Sequence, residues 1–156
     1  MRFWLDTEFN DFKGELISIA LIDDDGLEWY EVLEWNNPSP WVAENVIPVL
    51  HQAPVRIRTM QHSLHNFLRN YDAVHVVADW PEDIQHFCAA LITRPGERID
   101  TPPLTLEVRR DLDTAGSLMP HNALADARAL RLLGLGHNTE LTGAEGVRLN
   151  DWLECR

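Results

Sequence analysis

Cysteine is scarce in this sequence, and a long apolar run is missing altogether. The two cysteines among 156 residues, Cys88 and Cys155, lie far apart without metal-ligand spacing, which argues against a disulfide framework or a zinc site. Cys88 falls in an apolar helical stretch and reads as a small core residue. No hydrophobic stretch approaches the roughly 20 residues that a membrane helix needs. The opening Met1-Arg2-Phe3-Trp4-Leu5 is too short, and too soon acidic, for a signal peptide. The expectation is a soluble, cytoplasmic protein without membrane contact. Basic residues are also few: 13 Lys and Arg stand against 25 Asp and Glu, a formal net charge of −12. That balance argues against broad adhesion to duplex nucleic acid or anionic lipid, but not against an enzyme that grips a few terminal nucleotides. With no repeat and no linker, residues 1–156 read as one domain, long enough to bury a core without staples.

What is present begins at the N-terminus. Arg2 to Phe9 has the apolar density of a buried strand and ends in two carboxylates, Asp6 and Glu8, spaced i, i+2. On a strand that spacing puts both on one face, Cβ atoms roughly 7 Å apart, with Thr7 pointing away. Two carboxylates so held repel unless a divalent metal or other cations compensate them, so the pair reads either as solvated acids at a strand end or as ligands converging on one cation. Glu15–Ile22 and Leu27–Trp35 read as two more strands joined by the acidic turn Asp23-Asp24-Asp25-Gly26, taken as a solvated turn. Together they predict a three-stranded antiparallel meander.

Ser39 as N-cap and Pro40 at N1 predict a short helix to about Ile47. Met60, Leu64, Phe67 and Leu68 predict an amphipathic helix over Thr59–Tyr71, with His62 and His65 off its apolar stripe and at the surface. Ala73–Ala78 is a short strand between helices, hence parallel to the first. Ile84, Phe87, Cys88 and Leu91 mark the next helix, and Thr93–Pro103 reads as a surface loop. Leu104–Val108 is either a fifth strand or the start of a helix reaching Leu112. Ala123–Leu135 is the most Ala- and Leu-rich helix, and the glycines at 134, 136, 143 and 146 predict its end and a less ordered tail over about 137–156. Trp152 and Leu153 are candidates for a small docking element there. The fold class expected is α/β, a mixed sheet flanked by helices.

The last helix carries the second half of the chemistry. Asn122 is a good N-cap, so Asp126 falls in the first turn, where the amide dipoles favour a carboxylate. His121 stands just before the cap, placed to act as a general base.

The three segments together resemble the motifs of the DEDDh 3′-to-5′ exonuclease family. Asp6-Thr7-Glu8, an Asp after the fourth strand, and His121-Asn122-Ala123-Leu124-Ala125-Asp126-Ala127 carry the resemblance, and the chain is similar in length to the small stand-alone bacterial exoribonucleases. Trp41-Val42 and Pro48-Val49-Leu50 add to it. The resemblance implies a ribonuclease H-like fold and release of nucleoside 5′-monophosphates from single-stranded RNA 3′ ends. It also implies a homodimer, and two Mg²⁺ or Mn²⁺ ions held by Asp6, Glu8, Asp83 and Asp126, with His121 as general base. The middle motif departs from pattern: Asp79 stands where relatives commonly have Asn, and Asp83 inherits the catalytic role by its offset of four, with Asp79 the alternative. Phe9 is a candidate for stacking on a terminal base, ahead of Phe12 and Trp80. Arg109, Arg110, Arg128 and Arg131 are candidate phosphate contacts or ordinary surface arginines. A DNA exonuclease with the same metals, and a catalytically silent binding or dimerisation module, are the rival readings.

Overall fold

The computed structural model describes the backbone of residues 1–142 and the side chains of residues 1–136. The meander forms as the short turns require: β1 (Arg2–Phe9) pairs antiparallel with β2 (Leu16–Asp23), and β2 with β3 (Glu28–Val32). β4 (Val74–Ala78) lies parallel to β1, so β1 has an antiparallel neighbour on one side and a parallel one on the other. Leu104–Val108 is a strand, β7, completing the order β3-β2-β1-β4-β7 with Val76 opposite Leu106. Its sequence was ambiguous because an edge strand whose residues are mostly exposed has no clean inside-outside alternation. This is the ribonuclease H-like α/β arrangement: a mixed five-stranded sheet with helices on both faces.

Strand alternation divides the core. Phe3 and Leu5 of β1 face α2 (Ile57–Leu68) and α3 (Pro81–Leu91), packing with Val76, Met60, Leu64, Leu68 and Phe87. Trp4 faces the other side with Ala20, Ile22 and Val77, against Ala123, Ala127 and Leu130 of α4 (Ala123–Thr142). Most of these side chains are wholly buried, and each of the larger ones stabilises the fold by about 1.5–3 kcal/mol relative to exposure. The short helix α1 (Pro40–Asn45) and the 3₁₀ turn Ile47–Val49 close one end over Ile17 and Val32. Ser39 caps α1 as expected, its hydroxyl accepting from the Val42 amide.

Several boundaries differ from the sequence reading. α2 starts at Ile57 and ends at Leu68, leaving Tyr71 to pack edge-on against Phe3. Within 93–103 the backbone forms a small hairpin, β5 (Ile92–Arg94) with β6 (Glu97–Arg98), where a plain loop was expected. α4 does not stop near Leu135 but continues through Gly134 and Gly136 to Thr142. The reason at Gly134 is packing: a Cβ there would lie 2.0 Å from the ring of Trp4, so glycine lets the helix rest on the indole. The expected docking element at Trp152 and Leu153, and Cys155, lie outside the described residues.

The acidic turn is less solvated than expected. Asp23 is buried, accepting from the Leu27 amide and the Tyr71 hydroxyl, and Asp24 accepts from the Trp4 indole N–H and from Arg2. Arg131 of α4 donates to the carbonyls of both, so this turn clasps β1 to the last helix. Among the described residues no helix is long and apolar enough to cross a membrane.

Candidate active site

The parallel strands β1 and β4 end at the same edge of the sheet, and the acids collect there. β1 sends Asp6 and Glu8 to the α4 face and Thr7 to the α3 face, as a period of two dictates. On the first face Asn122 caps α4, its side-chain oxygen accepting from the Ala125 amide at 3.0 Å, which puts Asp126 in the first turn opposite Asp6 and Glu8. On the second, Pro81 opens α3 and places Asp83 at the third position, where it turns inward and is buried. Thr7 donates its amide and its hydroxyl to Asp83 Oδ1, at 3.2 and 2.6 Å.

Two carboxylate triads result. Asp6, Glu8 and Asp126 each offer an oxygen within 4.8 Å of the others, and so do Asp6, Asp79 and Asp83. Asp6 belongs to both. Asp79 and Asp83, alternatives in the sequence reading, therefore stand together: Asp79 follows the end of β4 and Asp83 is one helical turn on.

Among the described residues the protein supplies little positive charge to this cluster, chiefly Arg110 beside Asp79. The surrounding cavity, about 460 Å³, is lined by seven carboxylate residues and by no lysine or arginine. Burial, then the neighbouring Asp83 and Glu8 charges, push Asp6 well above the usual carboxylate range. Burial and the charges of Asp126 and Asp83 push Glu8 up to about 8. Burial raises Asp83 to about 7 against the lowering effect of its Thr7 hydrogen bond, and raises Asp126 and Asp79 as well. Among the described residues, the buried Asp6 Oδ2 and Asp126 Oδ1 have no hydrogen-bond partner. Buried carboxylate oxygens that converge without donors fit a hard divalent cation bound by oxygen alone, which suits magnesium or manganese. The triad of Asp6, Glu8 and Asp126 passes this test; in the other triad Asp6 contributes the orphaned oxygen, while Asp83 Oδ1 already accepts from Thr7.

His121 lines the same cavity. Its backbone adopts φ +67°, an uncommon conformation for a residue other than glycine. Its amide donates to Asp126 Oδ2 at 3.0 Å, and the edge of its ring meets Trp41, centroids 4.9 Å apart.

No family model matches the chain. Its sequence aligns with the 3′-5′ exoribonucleases of two Mycobacterium tuberculosis strains, CDC 1551 / Oshkosh and H37Rv. Each is 31% identical over 169 aligned positions that cover 95% of this chain and 100% of the relative. The chain belongs to the 3′-5′ exoribonuclease family.

For a member of an exoribonuclease family the rim of the cavity matters as much as its floor. Trp41, Phe12 and Trp80 line it and are largely exposed, at 51%, 77% and 47%. Phe9 also lines it, but one side of its ring is stacked on His86 at 4.7 Å, so it is the least free of the aromatics and not the leading one. Trp41 was missed as a site residue because its helix reads as ordinary packing; only the fold brings it to His121. Of the arginines, Arg128 pairs with Glu28, Arg109 with Asp111, and Arg131 holds the acidic turn. Arg110 alone of the four reaches this edge, donating to the Asp79 carbonyl at 2.7 Å and lying 4.4 Å over Trp80.

Proposed function

We propose that this exoribonuclease-family chain is a metal-dependent enzyme of the DEDDh type and the ribonuclease H-like superfamily, removing nucleoside 5′-monophosphates from the 3′ end of single-stranded RNA. The observation that carries the reading is the sharing of Asp6 between two triads. Asp6, Glu8 and Asp126 would hold one divalent cation, and Asp6, Asp79 and Asp83 the second, with Asp83 fixed by Thr7. Bound there, Mg²⁺ or Mn²⁺ would supply charge neutralisation at the scissile phosphate and a lowered pKa for the attacking water.

The chain's own groups do the rest. His121 takes the proton of the attacking water as general base, in reach of the cavity and outside both triads. Trp41, Trp80 and Phe12 offer faces on which the terminal bases stack, a contact tolerant of sequence. Burial of the acids keeps bulk water from screening the charges that position the phosphate. The same family resemblance carries the expectation of a single-domain, cytoplasmic homodimer.

The test is a time course of 5′-labelled single-stranded RNA and a matched DNA with Mg²⁺, with Mn²⁺ and with EDTA. The expected result is stepwise shortening of the RNA from its 3′ end, release of nucleoside 5′-monophosphates, and no turnover in EDTA. Full turnover in EDTA would remove the metals from the proposal, and preferential degradation of DNA would reassign the substrate.

A further inference from the structure

One stretch of this acidic chain carries positive charge without acids. Residues 45–71 contain no Asp or Glu, but they include Arg56, Arg58 and Arg69 with His51, His62 and His65. Positions 58, 62, 65 and 69 are spaced i, i+4, i+7 and i+11, which aligns them along one side of α2 over about 16 Å. Arg94 faces them from the β5–β6 hairpin, which also carries Arg98. Between helix and hairpin lies a second open cavity, about 530 Å³, lined by Arg58, His62, His65 and Arg94 with Ile57 and Ile92. Two acids, Glu97 and Asp100, also line it and balance its two arginines, so the positive excess comes from Arg56 and Arg69 at the two ends of α2. The buried Gln61 fixes the arrangement, its amide donating to the Ala90 and Ile92 carbonyls at 3.0 and 2.9 Å.

Three of these arginines, Arg56, Arg58 and Arg69, differ from the rest in what they touch. Arg2, Arg109 and Arg128 pair with carboxylates, and Arg110 and Arg131 bind backbone carbonyls. Arg94 approaches Glu97 at 3.9 Å and Arg98 donates to the Ile99 carbonyl. Among the described residues, the guanidinium groups of Arg56, Arg58 and Arg69 make no hydrogen bond or ion pair, and all three residues are exposed. Helix stability does not account for Arg58, which lies in the first turn of α2, where the helix dipole disfavours a cation.

The acidic cavity and this face occupy opposite ends of α3. Asp83 is in the first turn, and Leu91 at the other end leads directly into β5, about 12 Å away along the axis. A polyanion whose 3′ end enters a cavity lined, among the described residues, by seven acids and no lysine or arginine needs compensating charge elsewhere along its length.

We propose that the face formed by α2 and the β5–β6 hairpin binds the sugar-phosphate backbone of single-stranded RNA, upstream of the 3′ end held at the acidic cavity. The proposal rests on the exoribonuclease reading of that cavity. Guanidinium forks match phosphate oxygens two at a time, and the isoleucines offer apolar surface to sugars or bases. Backbone contacts of this kind carry no sequence preference and weaken with salt.

The experiment replaces Arg56, Arg58 and Arg69 together with Gln in the full chain, and in a second variant with Lys. Hydrolysis of a dinucleotide and of a single-stranded RNA of about 12 nucleotides is followed at several salt concentrations. The Gln variant is expected to raise KM for the longer RNA roughly tenfold, to reduce its salt slope by about 2, and to leave dinucleotide hydrolysis unchanged. The Lys variant should recover most of the loss. Fluorescence anisotropy of the labelled longer RNA in EDTA provides a reading independent of turnover, with unlabelled RNA and polyglutamate as competitors. If the wild type hydrolyses neither substrate but the Gln variant loses RNA binding, the surface stands and the nuclease reading falls. Unchanged KM and binding for the longer RNA, or an equal loss on the dinucleotide, would overturn the surface while leaving the cavity's activity in place. Polyglutamate competing as well as RNA would overturn it too, marking a docking face for an acidic protein.

Discussion

Thr7 gives both of its donors to a single oxygen of Asp83 and none to the other. One carboxylate oxygen is thereby pinned to the strand, which fixes the carboxylate within its triad with Asp6 and Asp79. The residue between the two acids of the first strand thus sets the orientation of a third acid that lies 76 positions later. Thr7→Val keeps the branched shape and removes the hydroxyl. Turnover on RNA is expected to fall about tenfold with KM little changed, and stability to fall by about 1–3 kcal/mol, the range for a lost hydrogen bond. Thr7→Ser should restore turnover. A Val variant with full turnover would show that Asp83 does not depend on this contact.

The two acids after the fourth strand should not be equivalent. Asp83 is buried and held, whereas Asp79 is half-buried at the cavity edge beside Arg110. Asp83→Asn is expected to reduce turnover much more than Asp79→Asn, measured as kcat at saturating Mg²⁺. The reverse order would make Asp79 the principal ligand.

Metal and pH should act on stability in opposite directions. Unfolded carboxylates titrate near 4, while in the fold Glu8 lies at about 8 and Asp83 at about 7. Between those limits the native state binds more protons than the unfolded state, so stability falls as pH rises. In EDTA the melting temperature is therefore expected to drop from pH 5 towards pH 8 and level off above, and Mg²⁺ should restore most of the drop. Asp6→Asn, which removes a buried unpaired charge, should raise the EDTA melting temperature at pH 8 while abolishing turnover and the Mg²⁺ effect. A melting profile in EDTA that is flat with pH would contradict this account.

His121→Ala should lower turnover by about two to four orders of magnitude, as loss of a general base does. Its thermal stabilisation by Mg²⁺ should match the wild type, because His121 belongs to neither triad. Loss of both together would identify His121 as a ligand. Trp41→Ala, which removes the ring against the imidazole edge, should reduce turnover less and leave the metal response intact.

Much of this site was legible before folding, for reasons particular to each residue. Asp6 and Glu8 are close in sequence and share a strand face, and Asn122 and Asp126 belong to one helix turn, so local geometry decides their relation. What could not be read were relations across the sheet. Thr7 does point away from its neighbours, but towards Asp83, and Asp79 joins Asp83 instead of replacing it. Trp41 meets His121 only because α1 closes that end of the barrel-free sheet. The extension of α4 beyond Leu135 was hidden because glycine propensity is local, while the packing at Gly134 depends on a tryptophan 130 positions earlier.

That contact has a consequence for how the site tolerates change. Trp4 is two residues before Asp6 on β1, and Gly134 is about 12 Å along α4 from Asp126. A glycine resting on an indole thus fixes how closely one element bearing carboxylates approaches the other. Any larger side chain at position 134 would wedge α4 away from β1 and widen the gap between Asp126 and Asp6. A random-mutagenesis screen for inactive but soluble protein would then return Gly134 alongside the acids, although it touches no substrate.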